Sequence, residues 1–468
     1  MATNLTVGPP TRGIIAFTIP LLIGNLFQQM YAFTDAAVVG RLIDVNALAA
    51  VGAAGGLQFL LIGFTFGAAG GLAIPTARAF GSGDFPQMRR YVAAGALISL
   101  GIAAAITLIG TLGAHTLLTW LNTPASLIEN SEKFLSIAFA GAVVTMTYNF
   151  LASTIRALGD SRTPLIFLIV ACVLNAGLVA LFIGVFHWGV AGASTATVLA
   201  QVVSVALCLI LITKRMPQLH LKRSDFHVRK EDLSECARLG LTMGFQMSVI
   251  AIGSLILQYA INGLGPDSVA AFTAAMRVDQ TASAPLNSFG LAMATYVAQN
   301  RGARQWDRIR IGIFRITLVV IGVAIALGAL IIFAGTPIVS LFLGDSSPGI
   351  TAMAHQYLII NGGLYILLAL LFVLRNSIQG MGLTGVPTIA GAMELIFRAL
   401  AGIVLVTHFG FVGACLASPL AWLGALVPVT IAWFPERRRL IKRRQTDETM
   451  RQDIAAEISQ AASENGLA

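Results

Sequence analysis

Long apolar stretches alternate with short polar connections along the whole chain. Apolar runs long enough to cross a bilayer as helices occur at twelve places. They cover residues 14–40, 47–77, 91–113, 134–155, 164–186, 189–213, 239–262, 268–298, 311–333, 352–374, 384–407 and 411–434. In hydrocarbon, backbone polar groups must pair within the segment, and the alternation of a barrel strand is missing. The pattern therefore predicts an all-α integral membrane protein with twelve transmembrane helices.

The composition rules out a soluble protein. Of the 468 residues, 56% are hydrophobic and 11% are charged, and the mean hydropathy is +0.81. Soluble domains carry about 25% charged residues, so this chain cannot cover an ordinary water-facing surface. The connections leave no room for a soluble catalytic domain, and the sequence has no Walker motif, catalytic triad or HExxH. We therefore expect neither an enzyme nor a bound cofactor.

Basic residues mark alternate connections. Of the 30 Lys and Arg residues, 25 lie on one set of connections or near the termini, whereas the opposite set holds only Arg41 and Lys133. By the positive-inside rule both termini are then cytoplasmic, and the short loops indicate the plasma membrane of a prokaryote. The net charge of +9 therefore reports orientation and gives no reason to expect nucleic acid as a partner. The basic run after Phe434 is interpreted as a topology anchor, with contact to anionic membrane lipid as the alternative.

An internal repeat divides the chain into two halves. Arg156–Pro164 reads RALGDSRTP and Gln379–Pro387 reads QGMGLTGVP, at an offset of 223 residues. GVAGA at 189–193 and GFVGA at 410–414 keep an offset of 221, as do Gly81 and Gly302. Because each half has an even number of spans, both halves enter the membrane from the same side and are parallel repeats.

The repeat sets the predicted domain organisation. We expect an N-terminal lobe of spans 1–6 at 1–213, a cytoplasmic linker at 214–238, a C-terminal lobe of spans 7–12 at 239–434 and a basic cytoplasmic tail at 435–468. Two duplicated lobes around a central cavity are typical of an alternating-access transporter, and no pore loop indicates a channel. One two-lobe chain is sufficient for this mechanism, so we expect a monomer.

Charged residues at membrane depth are costly and are therefore candidate functional residues. Asp35 lies in the outer half of span 1, and a desolvated carboxylate there is a candidate for proton exchange or cation binding. Its alternative role is a hydrogen-bonded residue that fixes helix packing. Arg277 and Asp279 are two residues apart on span 8 and point to different sides. Asp279 is thus a second candidate for contact with a proton or a cationic substrate, with an inter-helix salt bridge as the alternative.

Two further groups of polar residues lie at membrane depth. Glu394 and Arg398 are four residues apart on span 11 and are predicted to form a structural ion pair. Arg375, near the inner end of span 10, is expected to extend its charged end to the cytoplasmic interface. The candidates for substrate binding besides Asp279 are Gln28, Tyr31, Thr34, Asn149 and Gln201.

Four segments together resemble the multidrug and toxic compound extrusion (MATE) family over essentially the whole chain. They are IPLLIGNLFQQMYAFTDAAVVGRL at Ile19–Leu42, RAFGSGD at Arg78–Asp84, RALGDSRTP at Arg156–Pro164 and GVAGASTATVLAQ at Gly189–Gln201. The resemblance implies two six-helix lobes and export of organic cations or amphiphilic compounds, driven by Na⁺ or H⁺. It is closer to the DinF-like than to the NorM-like branch, because spans 7 and 10 lack the acids that mark the latter.

The resemblance also implies a cation-coupling site. The family's essential Asp on the first helix maps onto Asp35, and its Asn on helix 5 and Thr on helix 6 map onto Asn175 and Thr197. Its second Asp, four residues after the Asn, is replaced by Val179. One carboxylate fewer weakens a Na⁺ site, so H⁺ is the expected coupling ion and Na⁺ at Asp35 is the alternative. No other metal site is expected.

The sequence thus predicts a secondary active antiporter that exports cationic or amphiphilic organic compounds in exchange for H⁺ or Na⁺. One alternative is a flippase of the same superfamily for lipids or lipid-linked saccharides. A cavity rich in arginine would favour it, and Arg277, Arg375 and Arg398 keep it open. The other alternative is a major-facilitator-type uptake carrier, whose basic signature between spans 2 and 3 does not match GSGDFPQMRR at 81–90.

Overall fold

The computed structural model describes residues 4–43, 45–121, 123–343 and 348–464. The side chains of residues 31–42, 45, 46, 48, 341–343, 451 and 454–464 lie outside this description. All regular elements within the described ranges are helices, which confirms the predicted all-α class. Helices are expected for these apolar runs because their backbone polar groups pair within one segment.

The helices of the first half cover the predicted N-terminal lobe. They are α1 (Pro10–Leu42), α2 (Val45–Ser82), α3 (Phe85–Trp120), α4 (Ala125–Ala140), α5 (Ala142–Ala157), α6 (Arg162–Val179) and α7 (Gly189–Arg215). The last turns of the fifth span, Ala180–Val185, are π-helical.

The helices of the second half repeat this order. They are α8 (Lys230–Asn262), α9 (Pro266–Gly302), α10 (Trp306–Leu343), α11 (Pro348–Gly363), α12 (Tyr365–Gly380), α13 (Gly385–Leu400), α14 (Val406–Phe409) and α15 (Phe411–Glu464). Between α13 and α14 the chain is again π-helical, at Ala401–Leu405.

The observed helices correspond to the twelve predicted spans. In the part of the chain that the structure describes, nine helical segments are long and apolar enough to cross a membrane, α13 and α14 counting together. Two further spans, α4–α5 and α11–α12, are bent by 46° and 49°. The remaining helix, α9, is the counterpart of predicted span 8. It is more polar because it carries charged residues such as Arg277 and Asp279 and packs among α1, α2, α10, α11 and α12.

The repeat is visible in the backbone. The two bent spans occupy the same place in each half, and the fifth span of each half contains π-helical turns. Gly159 and Gly382 both adopt positive φ, at 90° and 74°, as do Gly189 and Gly410, at 59° and 57°. L side chains rarely adopt this conformation, so glycine is required at each turn. These features recur at the offsets read from the sequence and confirm two parallel repeats.

Each half contributes the start of its first helix to the hydrophobic core of the other half. Ile14 and Phe17 of α1 are buried in a cluster formed mainly by α9, α10, α12 and α15. Cys236 and Leu239 of α8 are buried in a cluster formed mainly by α2, α3 and α5. The lobes are therefore joined along two seams, α1 against α9 and α2 against α8.

The connection between the halves is shorter than the sequence suggested. The linker was expected at 214–238, but α7 continues to Arg215 and α8 begins at Lys230. The intervening residues contain two short 3₁₀ turns, and Asp225 in the second turn lies 3.4 Å from Arg89 of α3. The region expected as a separate tail, 435–468, begins as a direct continuation of α15.

Candidate functional site

A polar pair lies in the N-terminal lobe at the positions implied by the family resemblance. Asn175 on α6 is buried, and the Thr197 hydroxyl on α7 donates to Asn175 Oδ1 at 3.4 Å and to the Ala193 carbonyl at 3.1 Å. Val179, one turn after Asn175, is fully buried and offers no oxygen ligand. α1, the helix that carries Asp35, packs against both α6 and α7.

Three predicted site residues on α1 cannot be placed at this pair. The side chains of Tyr31, Thr34 and Asp35 lie outside the described residues. Asn175 and Thr197 supply two oxygen atoms at the pair. Within the described side chains, no group of three or more His, Cys, Asp or Glu residues is placed to hold a metal ion.

Two other predicted N-lobe residues, Asn149 and Gln201, form hydrogen bonds with threonine hydroxyls. Thr145 Oγ1 donates to Gln201 Oε1 at 2.6 Å, and Asn149 Nδ2 donates to Thr65 Oγ1 at 3.2 Å. Gln28 and Asn149 line a small cavity of about 40 Å³. Gln28 and Asn149 are therefore brought together, whereas Gln201 lies in a separate contact.

Direct hydrogen bonds join the two lobes along the α1–α9 seam. Asn25 Nδ2 donates to Ser288 Oγ at 2.9 Å, and Thr281 Oγ1 donates to Gln29 Oε1 at 3.0 Å. These bonds use side chains alone, so they can exchange partners without loss of helix structure. The seam is therefore suited to relative movement of the lobes.

A cavity of about 60 Å³ lies between the lobes. Its polar lining comes from both halves: Ser153, Arg156, Gln246, Asn287, Thr295, Arg375, Asn376 and Gln379. Sequence reasoning treated Arg156 only as a marker of a cytoplasmic connection. The structure places it in the last turn of α5, where it also lines this cavity. The repeat alignment could have identified the position, since Arg156 and Gln379 correspond and both line the cavity.

Asp279 lies in a second cavity, of about 200 Å³, within the C-terminal lobe. Its side chain is 8% exposed and its Oδ1 accepts a hydrogen bond of 2.7 Å from the Tyr365 hydroxyl. Arg398 and Glu394 line the same cavity. The predicted alternative of a direct salt bridge is not what the structure shows among its described residues; Asp279 is held by a neutral hydroxyl.

Glu394 joins two arginines in a buried network. Arg398 Nη2 lies 3.4 Å from Glu394 Oε1, and Arg375 Nη1 lies 3.2 Å from Glu394 Oε2. The predicted contact between Glu394 and Arg398 is therefore present, but with a third member. The expectation that Arg375 reaches the membrane interface is wrong, because its residue is only 2% exposed and its charge is held by Glu394 from the neighbouring helix.

The lobes close on each other at the end of the bundle where Leu5 contacts α9 and Asp447 contacts Trp306, called here the terminal face. A Cβ added at Gly81 of α2 would lie 1.9 Å from the carbonyl oxygen of Gln299 on α9. A Cβ added at Gly302 would lie 1.8 Å from the carbonyl oxygen of Arg78. Only glycine permits backbones to approach this closely. We call this contact the terminal seal.

Side chains reinforce the terminal seal. Gln299 Nε2 donates to the Ala157 carbonyl at 2.7 Å, and its Oε1 accepts from the Leu5 amide at 3.1 Å. Arg78 pairs with Glu235 of α8 at 2.6 Å and also donates to the Tyr91 hydroxyl at 2.8 Å. Sequence reasoning missed this cluster because polar residues at a span end are ordinarily solvated.

The chain matches a known family in both of its halves. The sequence profile of the MatE family matches residues 20–181 and 243–405, which together are more than half of the chain. The chain belongs to the MatE family. The family predicted from the sequence is thereby confirmed, and the two separate matches coincide with the two repeats seen in the backbone.

Individual MatE relatives cover most of the chain. The chain is 29% identical over 385 residues to the probable multidrug resistance protein YpnP of Bacillus subtilis, covering 81% of this chain and 85% of that protein. It is 25% identical over 352 residues to the DNA damage-inducible protein F of Escherichia coli, covering 73% and 74%. This second similarity is consistent with the DinF-like branch.

A solved structure shows the same fold. A MOP superfamily transporter from Pyrococcus furiosus superimposes with a TM-score of 0.84 at 21% sequence identity, covering 95% of this chain and 99% of that chain. The protein is therefore a multi-pass membrane protein with the two-lobe fold of this transporter class.

Proposed function

We propose that the protein is a secondary active antiporter that exports cationic or amphiphilic organic compounds in exchange for H⁺. The names of its relatives, among them a probable multidrug resistance protein, support organic compounds as cargo rather than lipid-linked saccharides. By the positive-inside rule, the basic residues near the terminal face support a cytoplasmic position for that face. The protein would work as a monomer in the plasma membrane of a prokaryote.

Two observations together support the proposal. The lobes make a close contact at the terminal seal, and the helices that pack against α1 carry a polar pair. The terminal seal closes the cytoplasmic side, while Asn175 and Thr197 form the pair in the N-terminal lobe. A change of charge at Asp35 would alter the packing of α1, which belongs to both lobes through its contacts with α6 and α9. A ligand can bias two access states only through such a difference between them.

H⁺ is the favoured coupling ion for a chemical reason. Sodium needs several hard oxygen ligands, and the position one turn after Asn175 holds the apolar, fully buried Val179. A proton needs one carboxylate only. Na⁺ at Asp35, Asn175 and Thr197 is the second candidate and is separated from the first by the same experiment.

The test is dye efflux from proteoliposomes under an imposed pH gradient without Na⁺, with ethidium, rhodamine 123 and rhodamine 110 as separate cargoes. Efflux of at least one dye should require the gradient and be lost in Asp35→Asn. Asp267→Asn, an exposed acid at the start of α9, is the matched control and should transport normally. Efflux driven only by a Na⁺ gradient would replace H⁺ by Na⁺, and absence of gradient-dependent efflux for every dye would overturn the antiporter.

A further inference from the structure

Arg156 is a half-buried, positively charged residue at the end of α5, and no described acid lies beside it. In the described structure, its guanidinium donates to the Ser153 hydroxyl at 2.7 Å, and no ion pair includes it. It lines both the inter-lobe cavity and the small N-lobe cavity that contains Gln28 and Asn149. Neither cavity has an Asp or Glu in its described lining.

In the C-terminal lobe, by contrast, the buried arginines have acidic partners. Arg375 and Arg398 share Glu394, and Asp279 lines the same cavity, so two positive charges there face two negative ones. A buried charge without a counter-charge is costly, whereas a paired and hydrogen-bonded one is tolerated. The half-buried Arg156 has no such counter-charge, and an incoming anion would supply one.

The rest of the inter-lobe cavity suits an anion. Its remaining polar lining is neutral or already paired. Gln246, Asn376, Gln379 and Thr295 contribute amides and a hydroxyl, and Arg375 lines it from the opposite lobe with its charge compensated by Glu394. Guanidinium groups bind carboxylate and phosphate oxygens in a forked geometry. The uncompensated charge of Arg156 would repel a simple cation at the same place.

The cavity size restricts what can enter. A volume of about 60 Å³ accommodates a small polar group and not a whole drug-sized molecule. Apolar side chains line the same cavity and can contact the remainder of an amphiphilic compound: Phe66, Ile74, Met243, Met247 and Leu291.

From this geometry we propose that the inter-lobe cavity binds a carboxylate or phosphate group of the transported compound, with Arg156 as its main ligand. This inference rests on the proposed transport function and narrows its cargo to amphiphiles that carry an anionic group. Arg156 precedes Ala157, whose carbonyl accepts the hydrogen bond from Gln299 in the terminal seal. An anion bound at Arg156 would therefore lie next to the terminal seal, the contact that must break when the lobes open to the cytoplasm.

The test is equilibrium binding to the purified full chain in detergent, without any gradient, of rhodamine 110 and rhodamine 123. The two dyes differ in one group, a free carboxylate in the first and its methyl ester in the second. Wild type should bind the carboxylate dye about tenfold or more tightly than the ester, because a charge-assisted hydrogen bond contributes that much. Equal binding of the two dyes, or tighter binding of the ester, overturns the proposal whether or not any variant folds.

Substitutions test whether Arg156 is responsible for the preference for the carboxylate dye. Arg156→Gln should weaken binding of the carboxylate dye by about tenfold and leave the ester within about twofold. Arg162→Gln, an exposed arginine six residues away that does not line the cavity, should change neither. If Arg156→Gln is not monodisperse, Arg156→Lys keeps the charge without the fork and should show a smaller loss for the carboxylate dye alone. A loss that is equal for both dyes would mean a structural role.

A competition arm separates cargo from lipid. If phosphatidylglycerol in the micelles displaces the carboxylate dye from wild type but not from Arg156→Gln, the cavity is a lipid headgroup site and its assignment to cargo is wrong. Retained dye binding in its presence supports the assignment. The two proposals fail in different experiments. If the cavity does not bind the anionic group, the dyes bind equally but gradient-driven export of the ester is still observed. If the protein is not an antiporter, the efflux experiment shows no gradient-driven export of any dye.

Discussion

Gly81 and Gly302 make the same backbone contact from opposite lobes. Gly81 of α2 lies against the carbonyl of Gln299, three residues before Gly302, and Gly302 of α9 lies against the carbonyl of Arg78, three residues before Gly81. The contact is thus symmetric under the 221-residue offset of the repeat, because each glycine lies against the carbonyl of the equivalent residue in the other half. A duplicated chain can close one end of its cavity symmetrically in this way, because the same small residue is present twice.

Replacing either glycine should open the terminal seal. Gly81→Ala or Gly302→Ala places a methyl group where a carbonyl oxygen already lies, and overpacking of this kind costs about 1–3 kcal/mol. We expect a lower thermal unfolding midpoint and greater reactivity of a cysteine introduced at Ala157. Gly101→Ala on α3, whose Cβ would meet nothing within 4 Å, is the control and should leave both unchanged. Wild-type reactivity in Gly81→Ala would mean that the seal is not a closed contact.

Gln299 should hold the N-terminal segment in place. Gln299→Ala removes the acceptor of the Leu5 amide and the donor to the Ala157 carbonyl, and each lost buried hydrogen bond costs about 1–3 kcal/mol. Hydrogen exchange of the peptide that contains Leu5 should become faster. Gln356→Ala, an exposed residue on α11, should have no effect. Unchanged exchange in Gln299→Ala would contradict the described anchoring.

Glu394 should be essential for stability because it compensates two buried arginines. Glu394→Gln removes the carboxylate that pairs directly with Arg375 and Arg398, and breaking a buried ion pair in this way costs about 3–5 kcal/mol. The thermal unfolding midpoint in detergent should fall sharply. Glu129→Gln, which breaks an exposed pair with Lys133, should leave the midpoint almost unchanged, because solvent screens that pair. Equal effects of the two changes would show that the Glu394 network is solvated.

Thr197 should contribute to coupling through its hydroxyl. Thr197→Val removes the hydrogen bond to Asn175 while keeping the shape, and a lost bond of about 0.5–1.5 kcal/mol corresponds to a two- to tenfold slower gradient-driven efflux. Thr195→Val is the matched control, since Thr195 is on the same helix and donates to the Ala191 carbonyl one turn back. If both variants slow efflux equally, the effect belongs to the helix and not to the polar pair.

The sequence predicted the spans and the repeat because both are local properties of the chain. Hydropathy places each helix, and glycines such as Gly159 and Gly382 mark equivalent turns whatever surrounds them. It did not predict the surroundings of Arg156 and Arg375, which were expected at the membrane interface. These surroundings depend on packing between helices: Arg156 lines a cavity with residues of α8, α9 and α12, and Arg375 pairs with Glu394 of α13.

The candidate site was predicted unevenly for the same reason. Asn175 and Thr197 were found through the resemblance, and the structure places them in contact. The tie between Glu394 and Arg375 was not found, because the i,i+4 spacing on one helix indicates only Arg398 as the partner. The role of Gln299 has no sequence signal of its own; it follows from the close approach that Gly81 permits.

Exchange of cargo for protons through one alternating path is the central claim, and the most direct test uses no imposed proton gradient. Proteoliposomes that enclose a pH-sensitive dye are given a gradient of an exported compound, and internal pH is recorded. We predict proton movement opposite to the cargo, at a rate that depends on the cargo gradient and is abolished in Asp35→Asn. Cargo movement without any pH change, or a pH change that persists unaltered in Asp35→Asn, would contradict the account.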